Sequence, residues 1–199
     1  MKLQAFIFIG RPGSGKGTQA GLLVELLKKI DPVHEVLHIE TGAEFRKFNE
    51  GPSFTAKRNK EYVDSGMLVP VFMTVYVWGN TLINRFDGNQ HVVFDGTPRK
   101  LLETQLLQDI FPFYKIKSNV IYLDAHKEEM TKRLMLRAKT QGRKDDNETG
   151  IAKRHDEYEL QVQPSIDYLH KHPEMRFHDI DGIGTIEEVR ARIAKALGL

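Results

Sequence analysis

The 199-residue sequence contains no cysteine. Disulfides and thiolate metal sites, a zinc knuckle among them, are therefore excluded, and a reducing cytoplasm is the expected setting. No apolar run approaches the roughly 18 residues of a membrane span. Net charge is also scarce: 29 Lys and Arg stand against 27 Asp and Glu, formally +2, so no overall field draws the chain to nucleic acid or a membrane surface. There is no internal repeat and no low-complexity segment. The apolar run at 5–9 is too short for a signal-peptide core and leads into Gly10-Arg11-Pro12, not into a cleavage-type sequence. What remains is ordinary globular material, 40% hydrophobic and 28% charged, in a length suited to one domain.

Four short β-branched or aromatic runs, at 4–9, 36–39, 91–95 and 119–123, read as buried strands, with a weaker fifth at 175–180. They are near-continuous rather than alternating, as in a parallel sheet covered on both faces. Helical spacing fills the intervals at 16–30, 101–110 and 127–137, and Thr185-Ile186-Glu187-Glu188 forms a capping-box pattern opening a last helix. Strand and helix alternate, so the expected fold is α/β, doubly wound. Two stretches break the alternation and read as insertions on the functional edge. Residues 41–84 hold helical pieces without a convincing strand; 138–148 are polar and turn-prone. A long helix is expected over 149–170, kinked or interrupted at Pro164.

The first strand runs into Gly10-Arg11-Pro12-Gly13-Ser14-Gly15-Lys16-Gly17-Thr18 and then a helix. This is the setting of a phosphate-binding loop. Glycines let backbone N–H groups close around an anion, the helix N-terminus adds positive charge, and Lys16 supplies a mobile cation for the β- and γ-phosphates. The usual pattern places Ser or Thr directly after the lysine; here Gly17 intervenes and Thr18 offers the hydroxyl. A dinucleotide-binding alternative, with Glu40 on a ribose, fails because Thr18 stands where a third glycine belongs and Lys16 would have no task. A GTPase alternative fails because Asn59-Lys60-Glu61-Tyr62 lacks the Asp that reads guanine.

The loop form GxPGxGKGT resembles that of adenylate kinases, and the resemblance extends along nearly the whole chain. The stretch 38–46 (HIETGAEFR) resembles the family's H-x-S-T-G-D-x-x-R, Asp95-Gly96-Thr97-Pro98-Arg99 its D-G-F-P-R, and 66–70 (GMLVP) its G-x-L-V-P. The resemblance implies a three-layer, five-stranded doubly wound P-loop NTPase fold in one domain. Its core would be 1–40, 85–137 and 149–199, with an NMP-binding insertion at 41–84 and a short lid at 138–148. It implies ATP held by Gly13, Ser14, Gly15, Lys16, Gly17 and Thr18, with Arg133 on the adenine, Arg137 on the phosphates and Gly184 in the adenine-facing loop. The acceptor monophosphate would meet Thr41, Gly42, Arg46, Leu68, Val69, Gly96, Arg99 and position 103. Asp95 would order water around Mg²⁺.

The lid pattern R-x-x-x-R…G-R-x-D-D…R is matched in spacing by Arg133, Arg137, Arg143, Asp145, Asp146 and Arg154. By resemblance Arg143 and Arg154 reach both substrates, while Asp145 and Asp146 pair with arginines as the lid closes. Lys16, Arg99, Arg137, Arg143 and Arg154 form the expected catalytic set. A plain solvated helix face is the alternative for any single arginine here, and Gly142 is a plausible flexible point.

Departures from the family pattern gather on the acceptor side: Glu40 for Ser, Ala43 for Asp, Thr97 for Phe, and Glu103 where the family has a Gln that reads adenine. Gln offers a donor and an acceptor; an ionised Glu only accepts and would suit the two donors of guanine. Gln105 could supply an amide after a local shift. The expected activity is ATP + AMP = 2 ADP by a cytoplasmic monomer. Alternatives are GMP or another 6-oxopurine monophosphate as acceptor, a small-metabolite kinase, and a non-catalytic nucleotide sensor. The eight histidines show no metal-ligand spacing, and Trp78 reads as packing.

Overall fold

The computed structural model describes residues 1–65, 67–141 and 147–199, with the side chain of Gln141 left aside. Gly66, Gly142, Arg143, Asp145 and Asp146 thus lie outside the described residues. The sheet has five parallel strands in the order β2-β3-β1-β4-β5. They are β1 (Gln4–Gly10), β2 (Glu35–Glu40), β3 (Gln90–Asp95), β4 (Lys117–Asp124) and β5 (Arg176–Asp181).

Period-two alternation sends each strand's side chains to two separate cores. Phe6 and Phe8 of β1, with Val93 and Ile121, pack against Ala20, Leu23 and Leu27 of α1 (Lys16–Ile30) and Val189 and Ile193 of α9 (Ile186–Leu197). Ala5, Ile7 and Ile9 face the other way. With Val92, Phe94 and Val120 they meet α4 (Val71–Arg85), α5 (Leu101–Tyr114) and α8 (Gln163–His170) through Trp78, Leu82, Leu107, Phe111 and Ile166. Helices therefore cover both faces, which is why the strands read as continuous apolar runs. Trp78 is buried edge-to-face on Phe94 as packing.

Between β2 and β3 the chain forms α2 (Thr41–Asn49), α3 (Phe54–Asp64) and α4. A small apolar cluster of Phe45, Val69, Met73 and Val77 holds α2 to α4. Past β4 come α6 (Lys127–Gln141) and α7 (Glu148–Glu157). The helix expected over 149–170 is divided. A π-helical turn, Tyr158–Val162, separates α7 from α8. Pro164 starts α8 at its first turn, where a missing N–H costs nothing. Thr185 and Glu188 form the reciprocal capping box at the start of α9.

Candidate active site

β1 delivers the chain to the glycine loop at the carboxyl edge of the sheet, the edge where open α/β sheets bind ligands. Gly13 and Gly15 take φ of +87° and +86°, a left-handed conformation that side-chain-bearing residues rarely adopt, and Gly15 caps α1 in that state. Lys16 folds over the loop. Its Nζ donates to Gly10 O at 2.8 Å, Arg11 O at 2.7 Å and Ser14 Oγ at 3.4 Å. Burial, then the Arg99 charge, push the Lys16 ammonium down to about 7, with Arg154 and Arg137 adding to the effect and Asp95 opposing it. Three arginines from separate elements thus bear on one lysine.

The intervening Gly17 has a steric reason. A Cβ built there would lie 2.9 Å from Asp95 Oδ2, so a side chain would displace the carboxylate from the loop. In the sheet register Asp95 pairs with both Phe8 of β1 and Glu40 of β2, which carries it to that contact. The carboxylate and the Thr18 hydroxyl are oxygen donors lining one cavity, a set that suits a hard divalent cation.

Arg46 and Arg99 approach one backbone contact from two elements. A Cβ on Gly42 would meet Arg46 Nη1 at 3.4 Å; one on Gly96 would meet Arg99 Nη2 at 3.4 Å and Gly42 N at 3.8 Å. Arg99 is further anchored by donating from Nε to Gly96 O at 2.8 Å.

A cavity of about 1030 Å³ runs past all of these groups, at the upper end of single-ligand sites. It is lined by Gly13, Gly15, Lys16, Gly17 and Thr18, by Thr41, Gly42, Arg46, Leu68 and Val69, by Asp95, Gly96, Arg99 and Glu103, and by Arg133, Arg137 and Arg154. Ser14 is buried beneath the loop and Gly184 lies outside the lining. Gly184 is linked to it by Arg133, which donates to Gly182 O at 3.3 Å and Gly184 O at 3.5 Å.

Glu103 is 1% exposed. Its Oε2 accepts from Thr97 Oγ1 at 2.8 Å and from the Arg99 backbone N–H at 3.1 Å, so the two departures Thr97 and Glu103 form one network. Gln105 is exposed on another face of α5, which rules out the register shift that would bring its amide inward. Burial pushes the Glu103 carboxyl upward. The two hydrogen bonds, then the Arg99 and Lys100 charges, pull against it, and burial prevails. Nearby, the buried Thr41 Oγ1 has no hydrogen-bond partner among the described residues.

Arg11 stands at the x of the loop form GxPGxGKGT, which assigns it no role, yet its guanidinium lies 4.3 Å over the Tyr158 ring. Its Nη1 is 2.6 Å from Glu159 Oε1, close enough for an ion pair but off the line of a hydrogen bond. The π-helical turn is thereby joined to the glycine loop. No sequence signal marks this, because a π turn has no residue signature.

A second polar cluster sits at the opposite edge of the sheet. Asp31 Oδ2 lies 2.9 Å from His34 Nδ1, 3.1 Å from His91 Nε2 and 2.9 Å from the Met1 α-amino nitrogen. These side chains offer three metal-type ligand atoms within 4.8 Å, a grouping no sequence spacing reveals. The Gln4 backbone N–H donates to His91 Nδ1 at 3.2 Å, so Nε2 carries the ring proton and is turned to Asp31 as a donor, not as a ligand.

The family model described as adenylate kinase matches residues 8–174. Curated relatives named adenylate kinase include one from Flavobacterium psychrophilum, 34% identical over 197 residues and covering 96% of both chains. Another, from Flavobacterium johnsoniae, is 33% identical over 195 residues, and one from Parabacteroides distasonis is 34% identical over 192, each with the same 96% coverage of both chains. With a phosphate loop, a converging set of arginines and near-complete coverage in agreement, the chain belongs to the adenylate kinase family of P-loop nucleoside monophosphate kinases.

Proposed function

We propose that the protein transfers the γ-phosphoryl group of ATP reversibly to AMP, with each substrate held at one end of the cavity. The observation that carries this reading is the grouping of Lys16 with Arg99, Arg137 and Arg154 beside the glycine loop. Cations gathered beside an N–H cradle suit the charge of a triphosphate meeting a monophosphate.

ATP lies with its phosphates in the N–H cradle of 13–18 and its adenine towards Arg133 and Gly184. The triphosphate restores Lys16 to a full ammonium, which then turns from the loop carbonyls to the β- and γ-oxygens. Arg46 and Arg99 grip the acceptor phosphate from α2 and from the β3–α5 loop, aiming its oxygen at the γ-phosphorus. Forked guanidinium donors match phosphate oxygens, and such positioning carries most of the catalysis in phosphoryl transfer. Arg137, Arg143 and Arg154 complete the cage as the lid, with Asp145 and Asp146 as pairing partners, closes and excludes water. Mg²⁺ fits the oxygen donors here: Asp95, through ordered water, and Thr18 would hold it, and it would supply positive charge against the phosphate oxygens. The acceptor base takes the slot between Leu68, Val69 and Thr41, next to Glu103.

No helix among the described residues is long and apolar enough to cross a membrane. A monomer working in the cytoplasm is the setting proposed. The relatives are named adenylate kinases, which does not favour the 6-oxopurine alternative.

ADP formation at fixed Mg-ATP, with AMP and GMP supplied in turn, tests the assignment. AMP is expected to turn over well above GMP. Equal or faster turnover of GMP would overturn the acceptor, and ATP binding without ADP from any monophosphate would mark a sensor.

A further inference from the structure

Among the described residues that line the cavity, Glu103 is the one charged side chain that is fully buried. It lines the same cavity as the apolar Phe45, Val63, Leu68 and Val69. Its two oxygens differ. Oε2 already accepts two hydrogen bonds, from Thr97 and Arg99, and a carbonyl-type oxygen has two lone pairs. Oε1 has no hydrogen-bond partner among the described residues. A proton on this carboxyl therefore belongs on Oε1, the oxygen left for a ligand.

The ligand chemistry is complementary. Adenine presents a bare acceptor nitrogen, N1, on its pairing edge. A carboxylate beside it sets lone pair against lone pair in a desolvated pocket, whereas a neutral carboxylic acid donates its O–H. Resting on AMP as the acceptor, we propose that Glu103 reads adenine as a neutral carboxylic acid, with Oε1 carrying the proton and donating it to N1. The residue does with a proton what an amide N–H does without one, and AMP binding is thereby coupled to a titration.

The charges facing Glu103 are Arg99, from the loop before α5, and Lys100, the N-cap residue of α5. Lys100 Nζ is itself engaged, donating to Val69 O at 3.1 Å. From α4 the cavity wall is Thr74, which is uncharged. The α8 helix meets α5 farther along, where Tyr168 donates to Gln108 at 2.6 Å. Burial outweighs the two cations and both donors in setting the direction of the shift, which favours the protonated form.

The test compares the KM for AMP in wild type and Glu103→Gln from about pH 5 to about pH 9. The amide keeps an acceptor for Thr97 and Arg99 but has no proton to lose. AMP's own phosphate titration is common to both proteins and cancels in the ratio. The wild-type-to-variant KM ratio is expected to climb with pH, approaching about tenfold per unit above the Glu103 transition. A ratio that stays flat overturns the proposal. A second arm needs no variant. Wild type is assayed with AMP and with 1-deaza-AMP, which lacks the N1 acceptor. The preference for AMP should shrink as pH rises; a constant preference overturns the proposal. If AMP gives no ADP at any pH, the proposed acceptor itself fails. If AMP turns over with flat ratios, only the protonated reader fails.

Discussion

The two edges of the central sheet both carry buried polar groups and treat them in opposite ways. At the amino edge Asp31, His34, His91 and the Met1 amine satisfy one another, and Asn119 closes a neighbouring contact by donating to Gln4 Oε1 at 2.9 Å. At the carboxyl edge the Thr41 hydroxyl is buried without a hydrogen-bond partner among the described residues, and burial, then neighbouring cations, lower the hold of Lys16 on its own proton. A buried polar group left unpaired costs about 1–3 kcal/mol. A fold bears that cost where a ligand will supply the partner, so the frustrated edge is the one built for binding and the satisfied edge the one built for stability.

That contrast can be broken from either side. The largest effect is expected for Lys16→Ala, a loss of at least about 10²-fold in kcat, as when a transition-state charge partner is removed. Circular dichroism and thermal melts should show the fold intact, or more stable, because a cation is taken from a crowded group. Arg99→Ala should lose a comparable factor, roughly 10²-fold, and also raise the KM for AMP. Near-full activity would remove Arg99 from the acceptor site.

Thr41→Val sharpens the comparison. It is expected to raise the KM for AMP by about five- to tenfold, the worth of one net hydrogen bond. Its melting temperature should be unchanged or higher, since an unpaired buried hydroxyl is exchanged for a methyl. A large fall in stability would mean that the hydroxyl has a partner in the free protein.

At the other edge, Asp31→Asn should leave kcat and both KM values unchanged while lowering the melting temperature near neutral pH. The Met1 α-amino group, then His34 and His91, hold the Asp31 carboxyl well below the usual carboxylate range. A depressed folded-state pKa gives stability that is complete above the unfolded value of about 3.9 and is lost as pH falls through the folded one. The difference in melting temperature between wild type and variant should therefore close as pH drops below about 4. A change in KM would break the division of labour between the edges.

Much of this was legible from local pattern. Strand runs, the glycine loop and the Thr185–Glu188 capping box depend on neighbours within a few residues, so chain spacing alone predicts them. The reason for Gly17 was not legible, since it depends on Asp95 arriving from a strand 78 residues later in register with β1. Pro164 predicts a kink or interruption in the 149–170 helix, but the break is the π turn just before it. There Tyr158 is taken up by Arg11 from the other end of the chain.

Residue types and spacing, by themselves, determined the class of chemistry: a lysine in a glycine loop after a strand, with arginines at recurring intervals, points to bound phosphates, because residue identity and backbone freedom are local properties. Tertiary structure alone decided how Glu103 is used. Its burial, the two donors on Oε2 and the exposure of Gln105 arise from packing, and the protonation state of a carboxyl depends on the solvent that packing removes.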